Sequence, residues 1–374
     1  MPQVKRAVVI GAGLTGLTAA HLLSRNQVDV TVYEREFRVG GHARSESMGD
    51  VPYEPHGAHI FHTGDAPMWR LATSLVDMLP YRHRVLTELA GEMFSWPLQY
   101  DELERLDGWG TIRAELAKVG RVDATNFETW CVSQMGATLY HLFIEDYTAK
   151  QWGRPGSELA SSIGPKRVEL RRDGVRDLFR DPFQGWPVGG YGALCEAMAC
   201  PVAGDVEIVM GETVTVADLG AVAAPGVPVI VTAALDDFFN GSHGPLQWRG
   251  VGLVARWMPK VAGFAQQAMV INRPSPDVAY TRTIESKWVL GPDTKTEGTM
   301  VMYEYPGAEA KHYPVPDVAG TSAQTQHAYE VELRDYERNP LIAAGRLARY
   351  TYINMDEAMR SGCAAAHRAW RSYP

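Results

Sequence analysis

Residues 6–34, RAVVIGAGLTGLTAAHLLSRNQVDVTVYE, decide the fold. The β-branched run RAVVI passes directly into G-x-G-x-x-G, then Leu17, Ala20 and Leu23 keep a helical spacing, and VDVTVYE makes a second strand that ends on an acid. This is a βαβ unit. Gly11 permits the tight turn, Gly13 lets the backbone approach a pyrophosphate, and Gly16 lets helix and strand pack closely. The helix amino terminus at Leu14 offers N–H donors and a positive dipole end, while Glu34 can accept from a ribose hydroxyl. Strand, helix and acid in this order predict a dinucleotide site.

Just beyond Glu34, Arg38-Val39-Gly40-Gly41 supplies a second glycine turn close to the first. Flavoproteins with a buried FAD wrap the pyrophosphate and ribityl chain in such a turn, and an NAD domain has no need of it. FAD is therefore the expected cofactor.

The chain around this unit has 374 residues, with 36 Lys+Arg against 44 Asp+Glu and a formal charge of −8. That length suggests two domains' worth of material with a large core. At 45% hydrophobic and 21% charged residues, the composition argues against extended disorder. An acidic balance without basic tails argues against general nucleic-acid binding. The cysteines, Cys131, Cys195, Cys200 and Cys363, form neither a disulfide framework nor a C-x-x-C zinc pattern, which fits a reducing cytoplasm. The first apolar run, AVVIGAG, is far shorter than the roughly 20 residues of a membrane helix and lacks the flanks of a signal peptide, so no membrane partner is expected.

Further strand candidates are EIVM (207–210), PVIVTAA (228–234), GLVARW (252–257), QAMVIN (267–272) and TMVMYEY (299–305). The stretch from about 66 to 180 reads mainly helical, as in MWRLATSLVDML and FETWCVSQMGATLYHLF. Proline and glycine in WGRPG (152–156) and GWPVGG (185–190) mark passages between subdomains. The segment KRVELRRDGVRDLFR carries Lys166, Arg167, Arg171, Arg172, Arg176 and Arg180, part of it expected as a solvated helix face and part as a basic lid. His56, His59 and His62 recur every third residue, but that spacing on an extended segment alternates faces, and no carboxylate or thiolate is arranged beside them. No metal is expected.

At this histidine segment the chain resembles a known family, the flavin-dependent UDP-galactopyranose mutases. The resemblance runs in order through GAGLTGLTAAHLL, RVGGHA, HGAHIFHT, MLPYRHRV, FSWPL, YTAKQWG, FQGWPVGGY, AYTRTIESK, YEYP, KHYPVP and AGRLARYTYINMDEAM. YTAKQWG, YTRTIE and AGRLARYTY are specific to the family. It implies an isomerisation between the pyranose and furanose forms of a nucleotide-linked galactose with no net redox change. In that scheme reduced FAD attacks the anomeric carbon through N5 in a covalent adduct and the nucleoside diphosphate leaves and returns, so the protein need not supply a nucleophile.

By the same resemblance, Arg167 and Arg282 bind the diphosphate, joined by the phenolic hydroxyls of Tyr313 and Tyr352. Arginine suits that task because its planar fork meets phosphate oxygens bidentately. Phe143, Tyr147, Thr148 and Trp152 serve the base and sugar, Asn272 the sugar hydroxyls, and His83 lies close to the reacting centre. His59 and His62 are assigned to the flavin. Gly11, Gly13, Leu14, Gly16, Glu34, Arg35, Gly40, Gly41, His42, Gly345, Arg346 and Met355 are implied to hold it.

The implied architecture is α/β, a Rossmann-like FAD-binding domain with an inserted helical domain and an inserted antiparallel β-sheet domain. The FAD domain is expected from residues 1–79, 185–249 and 317–374. The helical insertion, 80–184, supplies a mobile substrate lid and a homodimer interface, and the sheet insertion is 250–316. Partners implied are a nucleotide-diphosphate sugar and an external reductant, NAD(P)H or a flavin reductase.

The chain departs from the family pattern at four places. Ala58 replaces a proline in the G-P-H pattern, His83 replaces an asparagine, and Asn354 replaces an aspartate. Leu178 stands where a tyrosine touches the diphosphate, which points to a nucleotide other than UDP, with GDP named first. The competing readings are a flavin oxidase or desaturase related to the amine oxidases, which share the GxGxxG, acid and GG start, and a catalytically inert sugar-nucleotide sensor. An oxidase predicts an aromatic cage in place of paired phosphate arginines.

Overall fold

The computed structural model describes residues 4–166 and 168–371. Its centre is a five-stranded sheet in the spatial order Val206–Met210, Asp29–Glu34, Arg6–Ile10, Val229–Val231 and Leu341–Ala343, every neighbouring pair parallel. Continuous apolar runs such as AVVI and VIV suit strands covered on both faces, and Val9, Val32 and Ile230 are fully buried. The helix Leu14–Arg25 packs on one face, backed by the carboxy-terminal helix Met355–Arg371. Their approach is close because Gly362 lies on the first helix: a Cβ there would stand 2.4 Å from the Thr15 carbonyl oxygen.

The second sheet has six strands, ordered Val251–Met258, Thr299–Pro306, Arg282–Ile284, Val270–Asn272, Val85–Leu89 and Glu92–Trp96. It corrects the expected sheet insertion in two respects. Two of its strands come from the 80–184 stretch read as helical, and one pair, Val270–Asn272 with Val85–Leu89, is parallel. The hairpin turns on Ala90-Gly91, both at positive φ (51° and 85°), a geometry usually signalled by Asn-Gly or Gly-Gly. Alanine at the first position hides the turn.

The region read as helical is mixed in other ways too. MWRLATSLVDML gives a helix only over Ala66–Thr73, capped by Asp65, before the strand Met78–Pro80. Helix Phe127–Met135 is capped by Asn126 and stops at Gly136, whose φ of 83° breaks the run. A π turn over His141–Glu145 then leads into helix Asp146–Trp152, and the extra residue re-aims the aromatic face that follows. Phe127, Cys131, Met135, Leu139, Tyr140 and Phe143 form the core of this block, separate from that under the parallel sheet.

The basic run 166–180 is not the expected helix face. Arg171 is buried and spends its guanidinium on Glu169 and on the carbonyls of Val175, Asp177 and Leu178. Arg176 pairs with Asp101 and Glu102, Arg180 with Asp173 and Glu169, and Arg172 lies over the Tyr100 ring. Local carboxylates and carbonyls thus engage three of the run's four described arginines. Among the described residues, no helix is long and apolar enough to cross a membrane.

Candidate active site

At the carboxyl ends of the parallel strands lies a cavity of about 530 Å³ bordered by both glycine turns. Gly13 and Gly40 are bridged, Gly40 N–H donates to Ala12 O at 2.8 Å, and a Cβ on Gly41 would meet the Gly13 Cα at 3.3 Å. The two turns therefore support each other back to back. Glu34 is fixed by N–H groups of Ala12 (2.7 Å) and Glu36 (3.0 Å). Gly11, Gly13, Leu14, Glu34, Arg35, Gly40, Gly41, His42, His59, Gly345, Arg346 and Met355 all line this space. Gly16 does not; it is the packing glycine, and its Cβ would fall 2.0 Å from Gly11 O.

A dinucleotide fits these residues on the structure's own terms. A Cβ added to Gly13 would meet nothing within 4 Å, so the first turn leaves its open side to the cavity. Arg44 Nε and His59 Nδ1, both beside it, are buried without a hydrogen-bond partner among the described residues, with the Glu46 and Glu54 carboxyl oxygens 3.8 Å and 3.9 Å away, and an unmade hydrogen bond is costly unless a ligand supplies it.

A second cavity of about 460 Å³ adjoins the first, and His59, Arg346, Asn354 and Met355 line both. Around it the fold gathers His62, His83, Phe143, Tyr147, Thr148, Trp152, Asn272, Arg282, Tyr313 and Tyr352. Arg167 lies outside the described residues. The gathering is a product of register. Asn272 and Arg282 face each other on paired strands, and Arg282 in turn faces Glu304. The helix carrying Tyr147 is tied to the same sheet by Lys150, whose Nζ donates to the carbonyls of Arg273, Ser275, Val278 and Tyr280.

Arg282 is held by Glu304, whose Oε2 accepts from Nε at 2.8 Å and from the terminal nitrogen at 2.7 Å. Burial disfavours the guanidinium charge, but the wholly buried Glu304 carboxylate outweighs it and keeps the group protonated well beyond its ordinary range. Tyr313 and Tyr352 stack at 5.7 Å, with the Arg346 guanidinium 5.7 Å and 5.1 Å from their ring centres. Burial, then Glu304, raises the Tyr313 phenol, which therefore stays a donor. A fixed cation and a neutral phenolic donor facing one cavity can bind an oxyanion that departs and returns.

The three regularly spaced histidines do not meet. His59, driven down to about 3 by burial and the nearby Arg346 and Arg282, is a neutral imidazole between the two cavities. His62 pairs with Asp181 at 2.8 Å. His56 instead joins His42 and His312, a cluster invisible to the sequence because its members are so far apart in the chain. Its geometry is that of a hydrogen-bonded chain. His312 Nδ1 accepts from Val251 N–H, so Nε2 carries the proton and donates to His56 Nδ1 at 3.3 Å, while the His42 ring stacks on His312 at 4.4 Å.

Sequence reasoning also missed Glu54, Asp181 and Glu304. Glu54 accepts from the His59 backbone N–H and the Trp186 indole, both at 2.8 Å, and so fixes the loop that carries His59. Glu304 stands inside YEYP, but no spacing there points it at Arg282; strand pairing sets it opposite Arg282 and brings Asp181 to His62, while Glu54 reaches His59 within one loop.

Comparison with known proteins agrees with this geometry. The sequence profile of UDP-galactopyranose mutase matches residues 142–352, more than half of the chain, and that of an NAD(P)-binding Rossmann-like domain matches residues 9–75. A probable UDP-galactopyranose mutase of Klebsiella pneumoniae is 28% identical, over 94% of this chain and 91% of its own. A dTDP-fucopyranose mutase of Escherichia coli is 26% identical over 97% and 98%. In fold, a crystal structure of reduced UDP-galactopyranose mutase superposes with a TM-score of 0.78 at 16% identity, covering 98% of this chain and 95% of that one. A putative protoporphyrinogen oxidase from Exiguobacterium follows at 0.70 and 13%, covering 97% and 98%.

Proposed function

The chain belongs to the UDP-galactopyranose mutase family, and on that premise we propose that it interconverts the pyranose and furanose forms of a nucleotide-diphosphate sugar with FAD that is active when reduced. The observation that carries this reading is the continuity of the two cavities at His59, Arg346, Asn354 and Met355. Those four residues join the dinucleotide cradle to the cavity that Arg282 and the stacked tyrosines line. Reduced FAD supplies the nucleophile, its N5, and no net electrons are consumed.

The chain's own residues then have separate tasks. Gly13, Gly40 and Gly41 admit the pyrophosphate of the cofactor, and Glu34 holds a ribose. Arg282, kept charged and aimed by Glu304, takes the departing diphosphate, with the Tyr313 and Tyr352 hydroxyls as further donors and Arg167 as the second expected arginine. Phe143 and Tyr147 present an aromatic surface to the base, and Thr148, Trp152 and Asn272 line the sugar's path. Residues 80–184 are proposed to move as a substrate lid and to join two chains in a homodimer, and NAD(P)H or a flavin reductase to supply electrons.

Leu178 borders the cavity and offers no hydroxyl to a phosphate, which supports a nucleotide other than UDP, GDP being the first candidate. The test is anaerobic turnover by dithionite-reduced protein on UDP-, dTDP- and GDP-hexoses, with titration of the three free diphosphates alongside. Conversion to a furanose without net reductant use is expected. Substrate-dependent oxygen consumption without isomerisation would refute the mutase reading, and a clear preference for UDP would refute the nucleotide assignment.

A further inference from the structure

The cluster of His42, His56 and His312 lies where the dinucleotide cradle meets the six-stranded sheet, and a backbone amide decides what it can do. His42 directly follows Gly41, the turn glycine whose Cβ would meet the Gly13 Cα at 3.3 Å, and its ring centre lies 5.1 Å from that of His56. His56 thus stands one ring away from the turn that Gly13 leaves open. Both histidines line the cradle. Behind them His312 is buried, and its ring links His56 to the main chain of the strand Val251–Met258.

A backbone N–H can only donate, so Val251 fixes His312 Nδ1 as an acceptor at 3.3 Å. The His312 proton is then on Nε2 and goes to His56 Nδ1, also at 3.3 Å, which leaves the His56 proton on its own Nε2. Neither ring can take a second proton without setting two N–H groups against each other, His312 Nδ1–H against the amide or His56 Nδ1–H against His312. The surroundings act in the same direction. Burial is the first cause that lowers each imidazole, with Arg44 next for His56 and the neighbouring His56 next for His312, which falls to about 4. The same polarity disfavours a metal ion, because ligation through His312 Nε2 would move its proton to Nδ1, against the amide.

With Nδ1 turned to His312, Nε2–H is what the His56 ring offers the cradle. We infer that His56 is a cofactor-binding residue whose Nε2–H donates to the diphosphate of the bound dinucleotide, and that His312 is the positioning residue that fixes this donor. Arg44 lines the same cavity with Nε buried and without a hydrogen-bond partner among the described residues, and its charge acts on His56. An N–H donor and positive charge gathered beside the open turn suit an anion, and the diphosphate is the anionic part of the dinucleotide. Arg44, Glu46 and Glu36 are the charged groups that act on the His56 ring, and His42 and His312 are the imidazoles beside it. Because the hydrogen-bonded chain opposes the imidazolium, the donor keeps its polarity where a lone histidine would switch. The inference rests on the FAD reading above.

The test starts from the purified holoprotein. FAD affinity is read from the fluorescence of flavin released on dilution, and ADP, which carries the adenosine and a diphosphate without the ribityl chain or the flavin ring, is titrated as a competitor. H56F should weaken FAD and ADP alike by about 10-fold, the worth of a hydrogen bond to a charged acceptor. H56Q, whose amide nitrogen stands at the place of the imidazole Nε2, should recover most of the loss. H312F should weaken both ligands by a smaller factor, and H312Q, whose amide nitrogen can still donate to His56 Nδ1, should restore them. Nitrogen-15 spectra of the wild-type histidine rings provide a readout that needs no variant: His312 and His56 should both be protonated at Nε2, with a coupling across the hydrogen bond from His312 Nε2 to His56 Nδ1 and no imidazolium at either ring between about pH 6 and 8. A loss for FAD with ADP unaffected would put the donor on another part of the cofactor, unchanged affinity for both would remove it from the cradle, and a His312 ring protonated at Nδ1 would break the chain; each of these overturns the inference. A wild type that neither holds nor rebinds FAD would instead overturn the cofactor reading, and this inference with it.

Discussion

Two glycines three residues apart should respond in opposite ways to the same methyl group. In G16A the added Cβ would stand 2.0 Å from Gly11 O and 3.1 Å from Val9 Cγ1, below the 3.0 Å floor of real Cβ contacts in the first case. The helix would have to lift from the strand by about 1 Å, and overpacking of this kind costs about 1–3 kcal/mol. G13A meets no protein atom within 4 Å, and its φ of −76° suits alanine. Removing chain entropy there is worth about 0.4–1 kcal/mol of stability. The methyl would instead occupy the face that the cofactor must approach. Melting with and without added FAD separates the two. The wild type should gain about 2.7 kcal/mol at a flavin concentration 100 times its Kd. G13A should melt at or above the wild-type apoprotein yet gain little from flavin, whereas G16A should melt lower in both conditions. Wild-type flavin affinity in G13A would refute the placement of the cofactor against this turn.

Replacing Glu304 with glutamine keeps an acceptor for Arg282 but removes the charge. Since losing one partner of a buried pair costs about 3–5 kcal/mol, E304Q should lose roughly 2–3 kcal/mol, and bound nucleoside diphosphate should restore part of it; equal ligand stabilisation in both proteins would count against Arg282 as a diphosphate site. Glu54 is pushed up to about 8, chiefly by burial. Its native form holds a proton that the unfolded chain has released above about pH 4.3, so stability should fall as pH rises from there to about 8. Urea midpoints for E54Q should fall less steeply over that window, and parallel profiles would exclude Glu54 as the source. L178Y should bind the free nucleoside diphosphate about 2–10-fold more tightly by calorimetry, the worth of one hydrogen bond of roughly 0.5–1.5 kcal/mol; no gain would mean that Leu178 does not face the phosphates.

What was legible in the sequence is what neighbouring residues decide together. The cradle lies within residues 11–41, where each glycine answers a local steric demand. The motifs that gather at the second cavity are equally compact, YTAKQW being a single helix end. The partners that tune them are not local. Glu304 reaches Arg282 across a strand pair and Asp181 reaches His62 through another, both fixed by register. The hairpin 85–96 was missed because Ala90 adopts a conformation that its side chain does not advertise. The basic run reads differently in the structure because sequence charge does not show where the counter-charges will lie, and Glu169, Asp173, Asp101 and Glu102 pair with Arg171, Arg176 and Arg180.

The order of strands in the parallel sheet also governs when the protein can become itself during synthesis. Arg6–Ile10 finds its neighbour Asp29–Glu34 nearby in the chain, but its other neighbour, Val229–Val231, follows more than two hundred residues later, and the edge strand Leu341–Ala343 more than three hundred later. The helix Met355–Arg371, which closes over the first helix, is later still. At roughly 5–20 residues per second on the ribosome, the opening βαβ unit waits some tens of seconds with an apolar sheet edge uncovered. The cofactor cradle is thus begun by one strand pair and closed by another far along the chain, and the uncovered edge of Arg6–Ile10 stays unpaired in the interval.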